Sequence, residues 1–315
     1  MPRTCIINSP YVAKFKVGVV GCGNVGATAA YAMLIEGTPS EIVLYDLDYK
    51  RAHGLELDFE HSLSFVDYTK ITSTKELDGL HDCDMIVITA GARQKKGETR
   101  LDLITKNREI FKQIIPKIAK VAPNSILVIV SNPVDVLTYE AIKLSRFPEH
   151  RVFGTGTMLD TARFQFHISE KLCISPKSID AYVLGEHGDT SFPVYSSANV
   201  AGKPIMDFEG FDQKAADETY QKTKDAAYRI IHDMGFTCYS IGMVIKEIMV
   251  HITHNSRVAL PLSVMLHDYY DHSDVCLSVP CILDSEGIAE VITVPLDEKE
   301  QEMLAKSVET LKGYQ

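Results

Sequence analysis

From Phe15 onward the chain alternates two kinds of stretch. In one, a short run is predominantly apolar; in the other, apolar positions recur at helical spacing. The short runs are residues 15–20, 41–45, 85–89 and 126–130, with a weaker one at 71–74. Short apolar runs without polar alternation fit strands covered on both faces. The longer stretches predict helices over 27–35 and 101–121, the second despite Pro116. Strands alternating with helices predict a parallel, doubly wound sheet with right-handed crossovers.

Past residue 155 the rhythm changes. A helix is predicted over 157–172, then an apolar strand, 181–184, that runs into Gly185-Glu186-His187-Gly188. Residues 212–255 read as mostly helical, interrupted at Gly235-Phe236-Thr237. Runs 275–280 and 288–294 read as strands of an antiparallel meander, and Asp297 with Glu300 forms a capping pattern before a last helix. The expected organisation is an α/β half over 14–155 and an α+β half over 156–315. Because no linker, repeat or low-complexity segment separates them, the halves are expected to pack closely. Residues 1–13 are weakly patterned and expected to form a surface arm.

The junction of the first strand and first helix reads Gly21-Cys22-Gly23-Asn24-Val25-Gly26. Glycines there allow a tight turn and close approach of backbone to a pyrophosphate, which then faces the positive end of the helix. Asp46 ends the second strand 20 residues after Gly26, the spacing of a carboxylate that hydrogen-bonds a ribose diol. An anion there repels the extra phosphate of NADP, so NAD is the expected cofactor. The first half is thus expected to be Rossmann-type, with ligands at the carboxyl ends of its strands. The stretch 92–103, polar and basic with Gly97, reads as a loop long enough to move.

Composition narrows the partners. The net charge is −10, and no lysine- or arginine-rich block occurs, which argues against nucleic acid or an anionic membrane. A small anionic substrate stays open, since a few local arginines outweigh a global charge. No apolar run approaches the ~20 residues that span a bilayer, and no secretory leader is evident, so a cytoplasmic protein is expected. The seven cysteines are scattered and form no Cys-x-x-Cys pair, which fits reduced thiols better than disulfides or a zinc site.

His187 is the candidate proton carrier, since histidine exchanges a proton near neutral pH. By itself it reads as an ordinary loop residue. Asp160 and Arg163 lie three apart on one helix face. They read either as an intrahelical ion pair or as separate tools: Asp160 to orient a catalytic imidazole, Arg163 to fork a substrate carboxylate. Arg100, at the end of the loop, is either an exposed arginine or a second cation for the same site. Asn132 is either a turn residue before Pro133 or a donor to the reacting oxygen. His251 and His254 are three apart on a helix, but no acidic or thiol partner is evident, and no metal is expected. His167, His232 and His267 read as structural.

GCGNVG (21–26), ITAGARQKKGETRLDL (88–103), VSNPVD (130–135), GTGTMLDTARF (154–164), LGEHGD (184–189) and SVPCIL (278–283) occur in this order. With these motifs the chain resembles the lactate/malate dehydrogenase family over nearly its whole length, and most closely its lactate-type members. The resemblance implies NAD-linked interconversion of lactate and pyruvate, with His187 as proton donor and acceptor paired with Asp160. It makes Arg163 the carboxylate clamp, Arg100 the group that polarises the carbonyl, Asn132 a contact to substrate and nicotinamide, and Thr237 part of the pocket. It places Thr89, Ala90, Gly91, Ala92, Val130, Ser131 and Asn132 along the cofactor and implies a cis Asn132–Pro133 bond. Malate-type members carry arginine where this chain has Gln94. A neutral amide would leave a second substrate carboxylate unpaired, so lactate is favoured over malate. Members activated by fructose bisphosphate carry arginine and histidine where this chain has Gln165 and Asp180, so no activation is expected. The family likeness also implies a homotetramer, or a dimer. A catalytically idle nucleotide-binding protein of the same fold is the competing class. The joint presence of His187, Asp160, Arg163 and Arg100 weighs against it.

Overall fold

Alternate residues of each apolar run go to opposite faces of one sheet, which is why the interiors of those runs are apolar. In the computed structural model, which describes residues 14–92, 97 and 99–315, Val17 and Val19 join Met85, Val87, Ile126 and Val128 in the core on one face. Val20, Ile86, Ile88, Leu127 and Ile129 fill the core on the other.

The strands are β1 (Lys16–Val20), β2 (Glu41–Tyr45), β3 (Lys70–Thr74), β4 (Met85–Ile88), β5 (Ile126–Ile129), β6 (Val152–Gly154), β7 (Asp180–Leu184), β8 (Phe192–Val200), β9 (Lys203–Pro204), β10 (Val258–Met265), β11 (Cys276–Asp284) and β12 (Gly287–Val291). The helices are α1 (Asn24–Glu36), α2 (Tyr49–Ser62), α3 (Arg100–Val121), α4 (Val134–Ser145), α5 (Met158–Leu172), α6 (Gln213–Met234), α7 (Tyr239–Thr253) and α8 (Glu298–Lys312). The first six strands are parallel in the order β3-β2-β1-β4-β5-β6, the doubly wound arrangement expected.

The second half shares a sheet with the first. The meander β10-β11-β12 continues the parallel sheet, giving nine strands, because β10 pairs antiparallel with β6 through Ser263 and Gly154. Contact this close requires glycine: a Cβ on Gly154 would lie 2.5 Å from Thr138 Oγ1 and 3.0 Å from Ser263 Cβ. The pairing also covers what would otherwise be an open sheet edge. Helix α7 crosses back to lie on α1, so Ile245 and Ile248 share one core with Ala29 and Met33. A further core under β7 and β8 joins Phe164 and Ile168 of α5 to Val183 and Phe211.

The break in the long helical stretch falls where expected, with Gly235 at φ 80° closing α6. Asp297 and Glu300 form a capping box at α8. The strand expected over 288–294 ends at Val291. The sequence reading did not find α2, α4, β6, β8, β9 or β10. Helix α2 buries only Ala52 and Phe59, too few to mark a stripe, and β8 and β10 contain Pro193 and Pro261, which argue against strand. The expected arm, 1–13, lies outside the described residues. Among the described cysteines six are free thiols and all but Cys173 are buried.

Candidate active site

The glycine loop after β1 sits where the strand order reverses, between β1 and β4. Gly21 adopts φ +100°, and a Cβ there would lie 2.7 Å from Ala90 N. Gly26 packs so closely that its Cβ would fall 1.9 Å from Gly21 O. Gly23, which precedes α1, has nothing within 4 Å of its Cβ position. The first and third glycines therefore serve the turn and the helix–strand packing, while the second leaves open space over the N-terminal N–H groups of α1. Those features fit a dinucleotide pyrophosphate.

Asp46 stands beside this loop, but its oxygens are already engaged. Oδ2 accepts from Cys22 N at 2.7 Å and Oδ1 from Asp48 N at 2.8 Å. Each oxygen keeps a further lone pair for a hydroxyl donor. Thr89 Oγ1 donates to Gly21 O at 2.6 Å, tying the end of β4 to the glycine loop. Ser131 Oγ donates to Ala90 O at 2.7 Å, tying the end of β5 to the same crevice. The Asn132–Pro133 bond is cis, and Asn132 is exposed at the strand edge.

Sequence reading missed Asn107. It is fully buried in α3; its Oδ1 accepts from Ala92 N at 2.7 Å and its Nδ2 donates to Asn132 O at 2.7 Å. One amide thus fixes the loops after β4 and β5 to each other. The available signal was its place on the apolar stripe of α3, between Leu103 and Ile104 on one side and Phe111 on the other.

The edge that carries His187 is assembled by lacing α5 to β7. Thr157 Oγ1 donates to Val183 O, and Thr161 Oγ1 accepts from Val183 N at 3.0 Å. This fixes Asp160, between those threonines, against the turn that follows β7. The turn begins at Gly185, φ +89°, whose N–H and C=O both pair with Ser278 of β11 at 3.0 Å. Gly188 has no positive φ; a Cβ there would meet Arg100 Nη2 and the Glu186 carboxylate, each at 2.9 Å. It makes room for the Arg100–Glu186 ion pair.

His187 Nδ1 lies 2.6 Å from Asp160 Oδ2, and Arg163 Nη1 donates to Asp160 Oδ1 at 3.2 Å. The spacing thus gives an intrahelical ion pair, and the same carboxylate also meets the imidazole. A carboxylate only accepts, so Nδ1 carries the proton and Nε2 is left without a partner among the described residues. Burial alone would push the imidazole pKa down, but Asp160 outweighs it, and the net shift is upward. Burial would likewise raise Asp160; His187 and then Arg163 reverse this and hold it low. The ring keeps 29% of its side-chain surface open.

Arg100 is not against His187. Its guanidinium bonds the fully buried Glu186, lies 3.9 Å from Asp189, and covers the ring of Tyr314 at 5.4 Å. Glu186 also accepts from Thr190. Thr237 sits partly buried in the α6–α7 break, and no hydrogen bond joins it to the His187 group. Gln94, with Lys95 and Lys96, lies outside the described residues. Gln165 Nε2 donates to Ala181 O at 3.2 Å, and Asp180 is exposed. His251 does have an acidic neighbour, Glu247 at 3.8 Å, and burial lowers its pKa. His167, His232 and His267 form pairs with Glu170, Asp233 and Glu149.

A doubly wound sheet with a pyrophosphate cradle at its switch point, facing a His–Asp pair, defines a dinucleotide-dependent oxidoreductase. Residues 15–154 match the lactate/malate dehydrogenase NAD-binding domain, and residues 157–314 match the family's alpha/beta C-terminal domain. The chain belongs to the lactate/malate dehydrogenase family. It is 43% identical to the L-lactate dehydrogenase of Acetivibrio thermocellus, covering 97% of this chain and 98% of that one. It is 41% identical to that of Bifidobacterium animalis subsp. lactis, covering 98% of each. Among solved structures, the minor L-lactate dehydrogenase of Enterococcus mundtii in a ligand-bound form superposes with a TM-score of 0.93 at 37% identity, covering 96% of this chain and 97% of that one. A lactate dehydrogenase from a Medee basin deep-sea metagenome library gives 0.92 at 39%, covering 96% and 98%. The chain is accordingly an NAD-dependent oxidoreductase.

Proposed function

We propose that this chain is an NAD-dependent L-lactate dehydrogenase that interconverts pyruvate and L-lactate. The 2.6 Å contact between His187 Nδ1 and Asp160, at the carboxyl edge of an NAD-binding sheet, carries the reading. NAD supplies or accepts the hydride. For the chain's own residues, Gly21, Gly23, Asn24, Val25 and Gly26 hold the pyrophosphate, Asp46 the ribose, and Thr89–Ala92 with Val130–Asn132 the remaining length.

Arg163 has one prong on Asp160, and its other nitrogens have no partner among the described residues. It clamps the substrate carboxylate. That clamp sets the substrate's keto or hydroxyl oxygen at His187 Nε2, which gives its proton in pyruvate reduction and takes one in lactate oxidation. Asp160 keeps the proton on Nδ1 and stabilises the imidazolium. Arg100 leaves Glu186 to meet negative charge developing on the substrate oxygen, Asn132 donates to that oxygen, and Thr237 lines the pocket. Neutral Gln94 disfavours a second carboxylate.

The division into a cofactor half, 14–155, and a substrate half, 156–315, follows from this placing of roles. Homotetramer or dimer formation is supported by exposed apolar side chains on helices flanking the first core: Tyr31 and Ile35 of α1, Tyr239 and Met243 of α7. A cytoplasmic setting is supported by the buried free thiols; among the described residues no helix is long and apolar enough to cross a membrane. The test is NADH oxidation by purified protein across a panel of 2-oxo acids. Pyruvate should exceed oxaloacetate in kcat/KM by roughly 100-fold, the discrimination an unpaired desolvated charge produces. A higher value on oxaloacetate overturns the reading.

A further inference from the structure

The proton-transfer centre has a second carboxyl, Asp135, that no step above employs. It lies in the first turn of α4, three residues past Asn132, and is 2% exposed. The turn that ends β5 therefore presents Asn132 to the crevice and Asp135 to the His187 loop. Asp135 Oδ2 accepts the His187 backbone N–H at 2.7 Å. Ser263 of β10 faces the carboxyl, but its hydroxyl and Asp135 Oδ1 complete no hydrogen bond with each other or with any other described group.

The charged and titratable groups around the pair can be named element by element. Asp160 and Arg163 face the ring from α5. Glu186 approaches Asp135 from the turn itself. Cys276 faces it from β11, with its thiol raised by burial and then by Asp135. Tyr139 of α4 shares with Asp135 and Cys276 a cavity of about 10 Å³. Lys143, Glu149 and Asp274 act on Cys276 from farther out. Apart from His187, no cation touches the Asp135 carboxyl among the described residues.

A neutral amide would hold the main-chain N–H as well as a carboxylate does, without the cost of burying a charge. A buried charge gains a role only toward a group that is itself charged in one of its states, and His187 is that group. We propose that Asp135 is a positioning residue of the proton-transfer centre, fixing the His187 main chain and, through its charge, adding to Asp160 in keeping the imidazole protonated. This rests on His187 being the proton carrier. Burial pushes the Asp135 carboxyl up to about 6, against the His187 N–H, which favours the charged form. Its charge, and with it its support of the imidazolium, is therefore present above that pH and lost below.

Asp135→Asn keeps an acceptor for the His187 N–H and removes the charge. In kcat/KM for pyruvate reduction, the alkaline limb should move to lower pH by about half a unit or more. Asp135→Ala, which loses the acceptor as well, should also lower kcat by about tenfold through misplacement of the ring. A limb unmoved in Asp135→Asn overturns the proposal. Should that variant not fold, the wild-type protein answers by nuclear magnetic resonance. The His187 amide should show one step near pH 6 from Asp135 and a second, higher step from its own ring. A single step overturns the proposal. Wild-type protein inactive toward pyruvate would instead refute the functional reading, and the amide titration would still report on Asp135.

Discussion

Asp160 takes His187 Nδ1 on one oxygen at 2.6 Å and Arg163 Nη1 on the other at 3.2 Å, so one carboxylate fixes both the imidazole and the guanidinium. Against burial, the His187 pKa is raised above 6.5. Pyruvate reduction needs the imidazolium, so its rate should be level below that raised value and fall above it. In Asp160→Asn burial prevails, the pKa drops, and the alkaline limb moves to lower pH. At pH near 7.5 kcat/KM should fall by roughly 10²–10³-fold. For lactate oxidation, which needs neutral imidazole, the acid limb should move down as well. Rate profiles in both directions check this; limbs that stay in place refute it.

The same pair sets a window of stability. His187, raised, stabilises fully below its unfolded value of 6.5, and the contribution is lost as pH climbs through the folded pKa. Asp160, lowered, stabilises above its unfolded value of 3.8, and the contribution is lost as pH falls through the folded pKa. The Tm difference between wild type and Asp160→Asn should therefore be greatest between those two values. A difference independent of pH would remove the ion pair from the account.

Sequence alone exposed the elements buried on both faces, because β4 and β5 are apolar throughout and β1 is apolar past Lys16. It hid β10, whose Pro261 pairs with Pro280 across the strands, and α2, which turns almost everything but Ala52 and Phe59 outward. The histidine pair illustrates a different limit. His187 and Asp160 are 27 residues apart, and the threonine lacing between α5 and β7 that joins them is a tertiary fact. Motif resemblance supplied that proximity; spacing could not. Asn107 and Asp135 were readable in principle, as polar residues set among buried apolar neighbours on α3 and α4. Arg100 seated on Glu186 has no local signature, since the two are 86 residues apart.

Fructose bisphosphate should not activate this chain. Gln165 has its amide committed to Ala181 O, and Asp180 presents an exposed anion where a second phosphate contact would be needed. Pyruvate KM should change by less than about twofold on adding the bisphosphate at millimolar concentration, far below the ~100-fold that two forked phosphate contacts supply. A large fall in KM would contradict the assignment of these two positions.

Gln94→Arg should shift preference toward oxaloacetate. The residue lies outside the described residues, and the expectation comes from charge: a guanidinium forks the second carboxylate that an amide leaves unpaired. The ratio of kcat/KM for oxaloacetate to that for pyruvate should rise by about 100-fold. Lys95 and Lys96 are the competing cations, and an unchanged ratio would transfer the selectivity role away from Gln94.

The glycine loop separates packing from cofactor binding in two substitutions. Gly26→Ala sets a Cβ 1.9 Å from Gly21 O, against backbone that has no way to rotate aside. It should destabilise the fold by about 3 kcal/mol, the upper range for overpacking a close contact. Gly23→Ala meets nothing within 4 Å, and Gly23 already adopts φ −70° and ψ −170°, which alanine accepts. Its stability should stay within about 0.5 kcal/mol of wild type. Yet the new methyl would occupy the open space over the start of α1, where the pyrophosphate must approach the backbone. Affinity for NADH should drop at least about tenfold, corresponding to ~1.4 kcal/mol. Thermal unfolding and NADH fluorescence titration on the two variants check the separation. A Gly23→Ala protein that binds NADH as tightly as wild type would place the pyrophosphate elsewhere.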